Sequence, residues 1–180
     1  FARIRREQAR MAAARSTVSD LTAFREDFRW PVRGRVTGVY GTRRILNGEP
    51  RQPHFGADIA APAGTPVRAP AGGVVRLAEP DLYFSGGTLI IDHGLGLTSS
   101  LLHLARLHVA AGDRVAKGQI VAEVGATGRV TGAHLDWRMN LLDTRLDPAL
   151  VAGPMPSPPE PEAAGNGDGA TESPRTQRRE

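Results

Sequence analysis

The 180-residue chain has no cysteine, so disulfide staples, thiolate nucleophiles and Cys-ligated metals are all excluded. Lysine is almost as scarce. Lys117 is the only one, and the net charge of +4 rests on arginine. The resulting pI of about 10.5 attracts polyanions, but the sign alone does not choose among nucleic acid, anionic lipid and acidic cell wall. No apolar run reaches the roughly 20 residues that span a bilayer. Aromatics are few (2 Trp, 2 Tyr and 5 Phe), and no nucleic-acid-binding module surrounds them, so no nucleic-acid partner is expected. No helix-length periodic segment interrupts residues 32–150, which argues against a βαβ fold.

What the chain does have is turn chemistry, with 21 Gly and 14 Pro. From Val32 to about Leu150, short β-branched runs alternate with Gly and Pro turns. Strands are expected at Val36–Tyr40, Val67, Gly73–Leu77, Thr88–Asp92, Leu97–Leu102, Ile120–Val124 and His134–Met139. Their spacing is that of a small sandwich or barrel. Residues 1–29 read differently: Phe1, Ile4, Met11, Val18, Leu21, Phe24 and Phe28 recur by threes, fours and sevens, which predicts a helix. That helix either packs on the domain or ends a longer coiled segment that holds the domain at a distance and meets other envelope proteins. Trp30-Pro31 closes it, because proline disfavours helical geometry in the residue before it. Residues 151–180 hold too little apolar surface to offset the entropy of ordering and are expected to be a disordered tail. The domain proper is thus 30–150.

Histidines stand at 54, 93, 103, 108 and 134. Alone, each is more often a hydrogen-bonded structural residue than a ligand. His54-Phe55-Gly56-Ala57-Asp58 sets an imidazole and a carboxylate around a glycine, where Gly56 lets the backbone turn and the two side chains converge. Nitrogen plus oxygen suits zinc, and a catalytic zinc keeps three protein ligands and one open position. In His134-Leu135-Asp136-Trp137-Arg138, alternation puts His134, Asp136 and Arg138 on one face and Leu135 and Trp137 in the core. A plain surface ion pair between Asp136 and Arg138 is the simpler explanation of those two residues. His103 is polar within the apolar strand Ser99–Leu104. It is either a buried histidine with a satisfied partner or a second catalytic imidazole.

The order of these pieces is distinctive. It runs Trp30-Pro31-Val32, Tyr40-Gly41-Thr42-Arg43, His54-x-x-x-Asp58, Gly64-Thr65-Pro66-Val67, Gly72-Gly73-Val74-Val75 and Ile91-Asp92-His93-Gly94. It continues through His103-Leu104, Gly112-Asp113, Lys117-Gly118-Gln119, Gly125-x-Thr127-Gly128 and Thr131-Gly132-x-His134-Leu135. Over nearly all of 30–150 the set resembles the lysostaphin-like (LytM-domain) peptidoglycan metallopeptidases. The resemblance implies an all-β core of duplicated hybrid motif type and one Zn2+ per chain, held by His54, Asp58 and the residue at 136, with His103 and His134 catalytic. It also implies cleavage of peptide bonds in peptidoglycan and an envelope location, periplasmic or membrane-anchored, with any signal or anchor upstream of Phe1. Apart from the resemblance, the loop leading into His54 offers Arg43 or Asn47 as an expected substrate contact.

The sequence departs from the family where a His-x-His motif is expected, since the second position is Asp136. One His and two carboxylates bring a divalent ion to about zero net charge, against about +1 for two His and one carboxylate. Such a set weakens the ion as a Lewis acid and also admits manganese or another divalent ion. A catalytically silent relative that binds peptidoglycan or activates another hydrolase is the competing reading. The 112–124 hairpin also resembles lipoyl and biotinyl carrier domains, but Lys117 lacks the flanking residues of a modified lysine, so no carrier role is expected.

Overall fold

The computed structural model describes residues 1–157. In chain order its elements are helix α1 (Ala2–Arg15), then strands β1 (Arg35–Gly38), β2 (Arg44–Leu46), β3 (Glu49–Arg51), β4 (Ala57–Ala60), β5 (Pro66–Arg68) and β6 (Gly73–Leu82). They continue as β7 (Gly86–Gly94), β8 (Leu97–Leu107), β9 (Arg114–Val115), β10 (Ile120–Val124), β11 (His134–Leu141), β12 (Thr144–Leu146) and a short helix α2 (Pro148–Ala152). The strands pair antiparallel in the order β1-β4-β11-β8-β7-β6-β9, with β10 joining β8 to β5 and β12 added to β11. The sheet does not close, so of the two expected arrangements the barrel is not formed.

Alternation along the central strands supplies both faces. Leu89 and Ile91 of β7, Leu101 and Leu104 of β8, and Leu135, Trp137 and Met139 of β11 point into the main core with Val67, Val121 and Val124. Trp30 packs edge-on to Trp137 with ring centroids 5.5 Å apart. On the other face Ile90, Leu77 and Leu82 form a smaller cluster with Met11 and Ala14 of α1. That second face is the one that carries the site, because Ile90 stands opposite Ser100, and Ser100 opposite Arg138.

The helix ends at Arg15, short of the expected residue 29. Ser16, Thr17, Val18 and Ser19 favour helix weakly, two of them through β-branching, and beyond Arg15 the apolar spacing serves another purpose. The chain leaves the helix, Ser19 accepts a hydrogen bond from the amide of Leu95 at 2.9 Å, Leu21 abuts Gly94, and one 3-10 turn follows at Ala23–Arg25. Phe28, Trp30 and Val32 then enter the core as alternate residues, a period of two that the helical spacing disguised. α1 packs on the domain: Glu7 accepts from the amide of Tyr83 at 2.9 Å, Arg3 donates to the carbonyl of Asp81 at 2.7 Å, and Arg10 pairs with Glu79.

At the other end the packed chain extends past 150. The Trp30 indole donates to the carbonyl of Gly153 at 2.9 Å, and Met155 rests on the core. The remainder of the expected tail, 158–180, lies outside the described residues.

Candidate active site

Strand register builds the centre. On β4 and β11, Asp58 stands directly opposite Asp136, and on β8 Leu102 stands opposite Asp136 from the other side. Facing like charges are unfavourable in a sheet, and the row has a cation beside it in Arg138 of the same strand β11. His54, just before β4, is buried, and its Nε2 lies 2.9 Å from Asp58 Oδ1. One donor atom from each of His54, Asp58 and Asp136 falls within 4.8 Å of the others.

Gly56 makes this convergence possible through space rather than through an unusual backbone angle. A Cβ there would sit 2.5 Å from Asp136 Oδ1 and 2.8 Å from both Arg138 Cγ and the Trp137 carbonyl.

Asp136 is 1% exposed and is engaged by Arg138 of its own strand. Nε donates at 3.1 and 3.0 Å to the two carboxylate oxygens, and Nη2 donates at 2.6 Å to one of them. The pair anticipated at the surface is therefore formed, but in the floor of a cleft. Burial would lower the Arg138 pKa, and Asp136, with Asp58 behind it, more than offsets this and raises it.

His103 and His134 complete the rim, their rings tilted and 5.0 Å apart between centroids. His103 Nδ1 lies 3.0 Å from the carbonyl of Thr127, and His134 Nδ1 lies 2.9 Å from the carbonyl of Gly132. A carbonyl only accepts, so each ring donates through Nδ1–H, which in a neutral ring leaves Nε2 as an acceptor. His134 Nε2 is 3.9 Å from Asp58 Oδ1. His103 has φ of +65°, a left-handed backbone that a non-glycine residue adopts at a cost and that clusters at functional sites. Its amide donates to Ser85 at 2.8 Å, which fixes the kink. Burial lowers the pKa of its ring, against the hydrogen bond to Thr127.

The landmark Gly125-x-Thr127-Gly128 thus has a local purpose. Thr127 orients His103 through its carbonyl, while its hydroxyl donates to the Leu104 carbonyl at 2.8 Å and accepts from the Gly87 amide at 2.9 Å. Alternation had put Arg138 on the site face, whereas Thr127 lay in a quoted motif with no spacing to mark it as a site-builder. The other two histidines are structural: His93 is buried between the Gly72 carbonyl and the Ser99 hydroxyl, and His108 pairs with Glu123 at 3.1 Å. Arg43 and Asn47 are exposed and do not line the cleft.

The cleft over this centre holds about 530 Å³. Asp58, Asp136, His103 and His134 line one side, and Ile4, Glu7, Gln8 and Met11 of α1 line the other. The N-terminal helix is thus a wall of the site.

Three comparisons bear on this arrangement. ShyA of Vibrio cholerae, a peptidoglycan DD-endopeptidase, is 37% identical over 114 residues, which is 62% of this chain and 26% of that protein. A structure described as a peptidase M23 from Pseudomonas aeruginosa superposes with a TM-score of 0.70 at 39% identity, covering 84% of this chain and 61% of that one. A zinc-containing peptidase from Vibrio cholerae superposes with a TM-score of 0.64 at 31% identity, covering 68% and 39%. The chain spans about a quarter of the length of the curated relatives it matches. The model of peptidase family M23 matches residues 52–148, more than half of the chain and the whole of the centre described above. With that match, the motif order and the lysostaphin-type sheet, the chain belongs to peptidase family M23, the LytM-type metallopeptidases.

Proposed function

We propose that this chain is a metal-dependent endopeptidase that cleaves peptide bonds of bacterial peptidoglycan in the cell envelope. The observation that carries the reading is the convergence of one imidazole and two carboxylates within 4.8 Å, the two carboxylates lining the cleft that His103 and His134 also line. One nitrogen and two oxygen donors suit zinc with an open fourth position, and manganese as well. His54, Asp58 and Asp136 would hold the ion, and when bound it would supply Lewis acidity toward a peptide carbonyl.

The protein's own groups fit the proton traffic of hydrolysis. His134, whose Nε2 lies 3.9 Å from Asp58 Oδ1, serves as the general base for water. His103, whose ring pKa burial lowers, passes to the amine, as the C–N bond breaks, a proton that originates on the attacking water. Its Nδ1–H bond to Thr127 orients the ring. α1 narrows the cleft from the opposite side and so limits the water that reaches it.

A second reading, binding of peptidoglycan peptides without cleavage, draws on the three hydrogen bonds from Arg138 to Asp136, which hold both of its oxygens. One experiment separates the two. Metal content is measured by elemental analysis for the wild type and for Asp136→Asn and His54→Ala, alongside digestion of purified peptidoglycan. About one zinc or manganese per wild-type chain, lost in both variants and accompanied by release of soluble peptides, supports the hydrolase. A wild type that stays metal-free after added zinc, and releases nothing, leaves a binding domain.

A further inference from the structure

Beside the main cleft lies a smaller one of about 160 Å³ with a different character. Three arginines line it: Arg15 at the end of α1, Arg138 on β11 and Arg145 on β12, together with Gln8 and Ser100. No acidic side chain lines it. Arg138 has its counter-charge in Asp136. The other two have none among the described residues. Arg145 reaches only the amide oxygen of Asn140, at a long 3.4 Å, and stacks 5.7 Å from the Phe55 ring centroid. Arg15 is half-buried and has no hydrogen-bond acceptor among the described residues. Burial lowers the pKa of both, and repulsion adds to it, from Arg145 and Arg138 for Arg15 and from Arg138 for Arg145, where attraction to Tyr40 and Asp136 offsets it only in part.

Half-buried cations that repel one another, with a single carboxylate, Asp136, already engaged by Arg138, are an unfavourable arrangement unless a further anion joins them. Guanidinium groups suit a carboxylate in particular, because their fork of N–H donors matches its two oxygens. The small cleft shares Gln8, Met11, Leu102 and Arg138 with the large one, so a ligand that crosses the centre can place one of its groups there.

We propose that Arg15 and Arg145, backed by Arg138, form a subsite for a free carboxylate of the peptide substrate. The inference rests on the proposed peptidoglycan-peptide substrate, and it makes α1 part of substrate recognition. A peptide stem offers two sources of this chemistry, the carboxylate at its C-terminal end and that of an acidic side chain.

Three synthetic stem peptides distinguish them: one with both carboxylates free, one with the C-terminal carboxamide, and one with side-chain carboxylates amidated. Each is titrated calorimetrically into the wild type, Arg15→Gln and Arg145→Gln, with thermal melts to establish that the variants fold. The wild type is expected to bind the free acid roughly tenfold or more tightly than one of the amides, as loss of a hydrogen-bonded charge implies. The amide that loses affinity identifies the seated carboxylate. In each variant the preference should shrink to about twofold or less. Equal binding of all three peptides, or no binding of any, overturns the proposal. A preference that survives both substitutions does so too. A wild type that discriminates the peptides yet holds no metal retains the subsite and removes the hydrolase reading, so the two fail separately.

Discussion

Arg138 reaches back two residues along its own strand to hold both carboxylate oxygens of Asp136. The pair is neutral as a unit, as a histidine imidazole at the same place would be. An ion held by His54, Asp58 and Asp136 would then see a net surrounding charge close to that of a set of two His and one carboxylate. Replacing Arg138 by Gln removes a cation at ion-pair distance from the centre, an electrostatic change of a few kcal/mol at an effective dielectric of about 20. We expect Arg138→Gln to bind zinc at least about tenfold more tightly than the wild type, measured by competition with a chromophoric chelator. Weaker binding would mean that Arg138 chiefly positions Asp136.

Gly56→Ala should fail for a steric reason. The added methyl meets the Asp136 carboxylate, the Arg138 stem and a backbone carbonyl at 2.5–2.8 Å, and the carbonyl cannot step aside. A cost of about 2 kcal/mol or more is expected, read from urea denaturation, together with loss of divalent-ion binding. A variant as stable as the wild type would show that β4 and β11 are more loosely coupled than their register implies.

Acid should loosen the fold through His93 and His103. Burial holds both rings below the ordinary histidine pKa of about 6.5. The unfolded chain therefore takes up these protons first on acidification, and stability rises with pH in that window. The contribution is fully present above about pH 6.5 and is lost as the pH falls toward the depressed folded values. Urea midpoints measured from pH 8 to 5 should decline below neutrality, and a flat profile would sink this account.

Thr127→Val keeps the shape of the side chain but removes the hydroxyl that joins Gly87 to Leu104. A loss of about 1–3 kcal/mol is expected from the orphaned groups. Because the neighbouring carbonyl orients His103, peptidoglycan turnover should fall through kcat more than through KM. Equal changes in both would assign Thr127 a purely structural role.

The β-rich domain was legible because alternation and turn residues are local signals. Ile120–Val124 is a strand with the expected bounds, and Leu135 and Trp137 lie in the core as their parity required. The helix boundary was not, because Leu21 and Phe28 are apolar for reasons that lie across the fold, at Gly94 and His93. His103 was visible as a polar residue in an apolar strand, but its left-handed kink depends on Ser85 and could not be read from neighbours. Arg138 was seen on the right face, yet whether its pair with Asp136 lies at the surface or in the floor of a cleft depends on α1, far away in sequence.

The facing of Asp58 and Asp136 also carries a message about timing. His54 and Asp58 are neighbours along the chain, whereas β4 and β11 are separated by most of the domain, and contacts between distant segments form at the largest loop-closure cost. A nascent or partly folded chain can therefore present only half of the centre. Whatever ion the centre holds would then find its full set of donors only once this long-range strand pairing has formed.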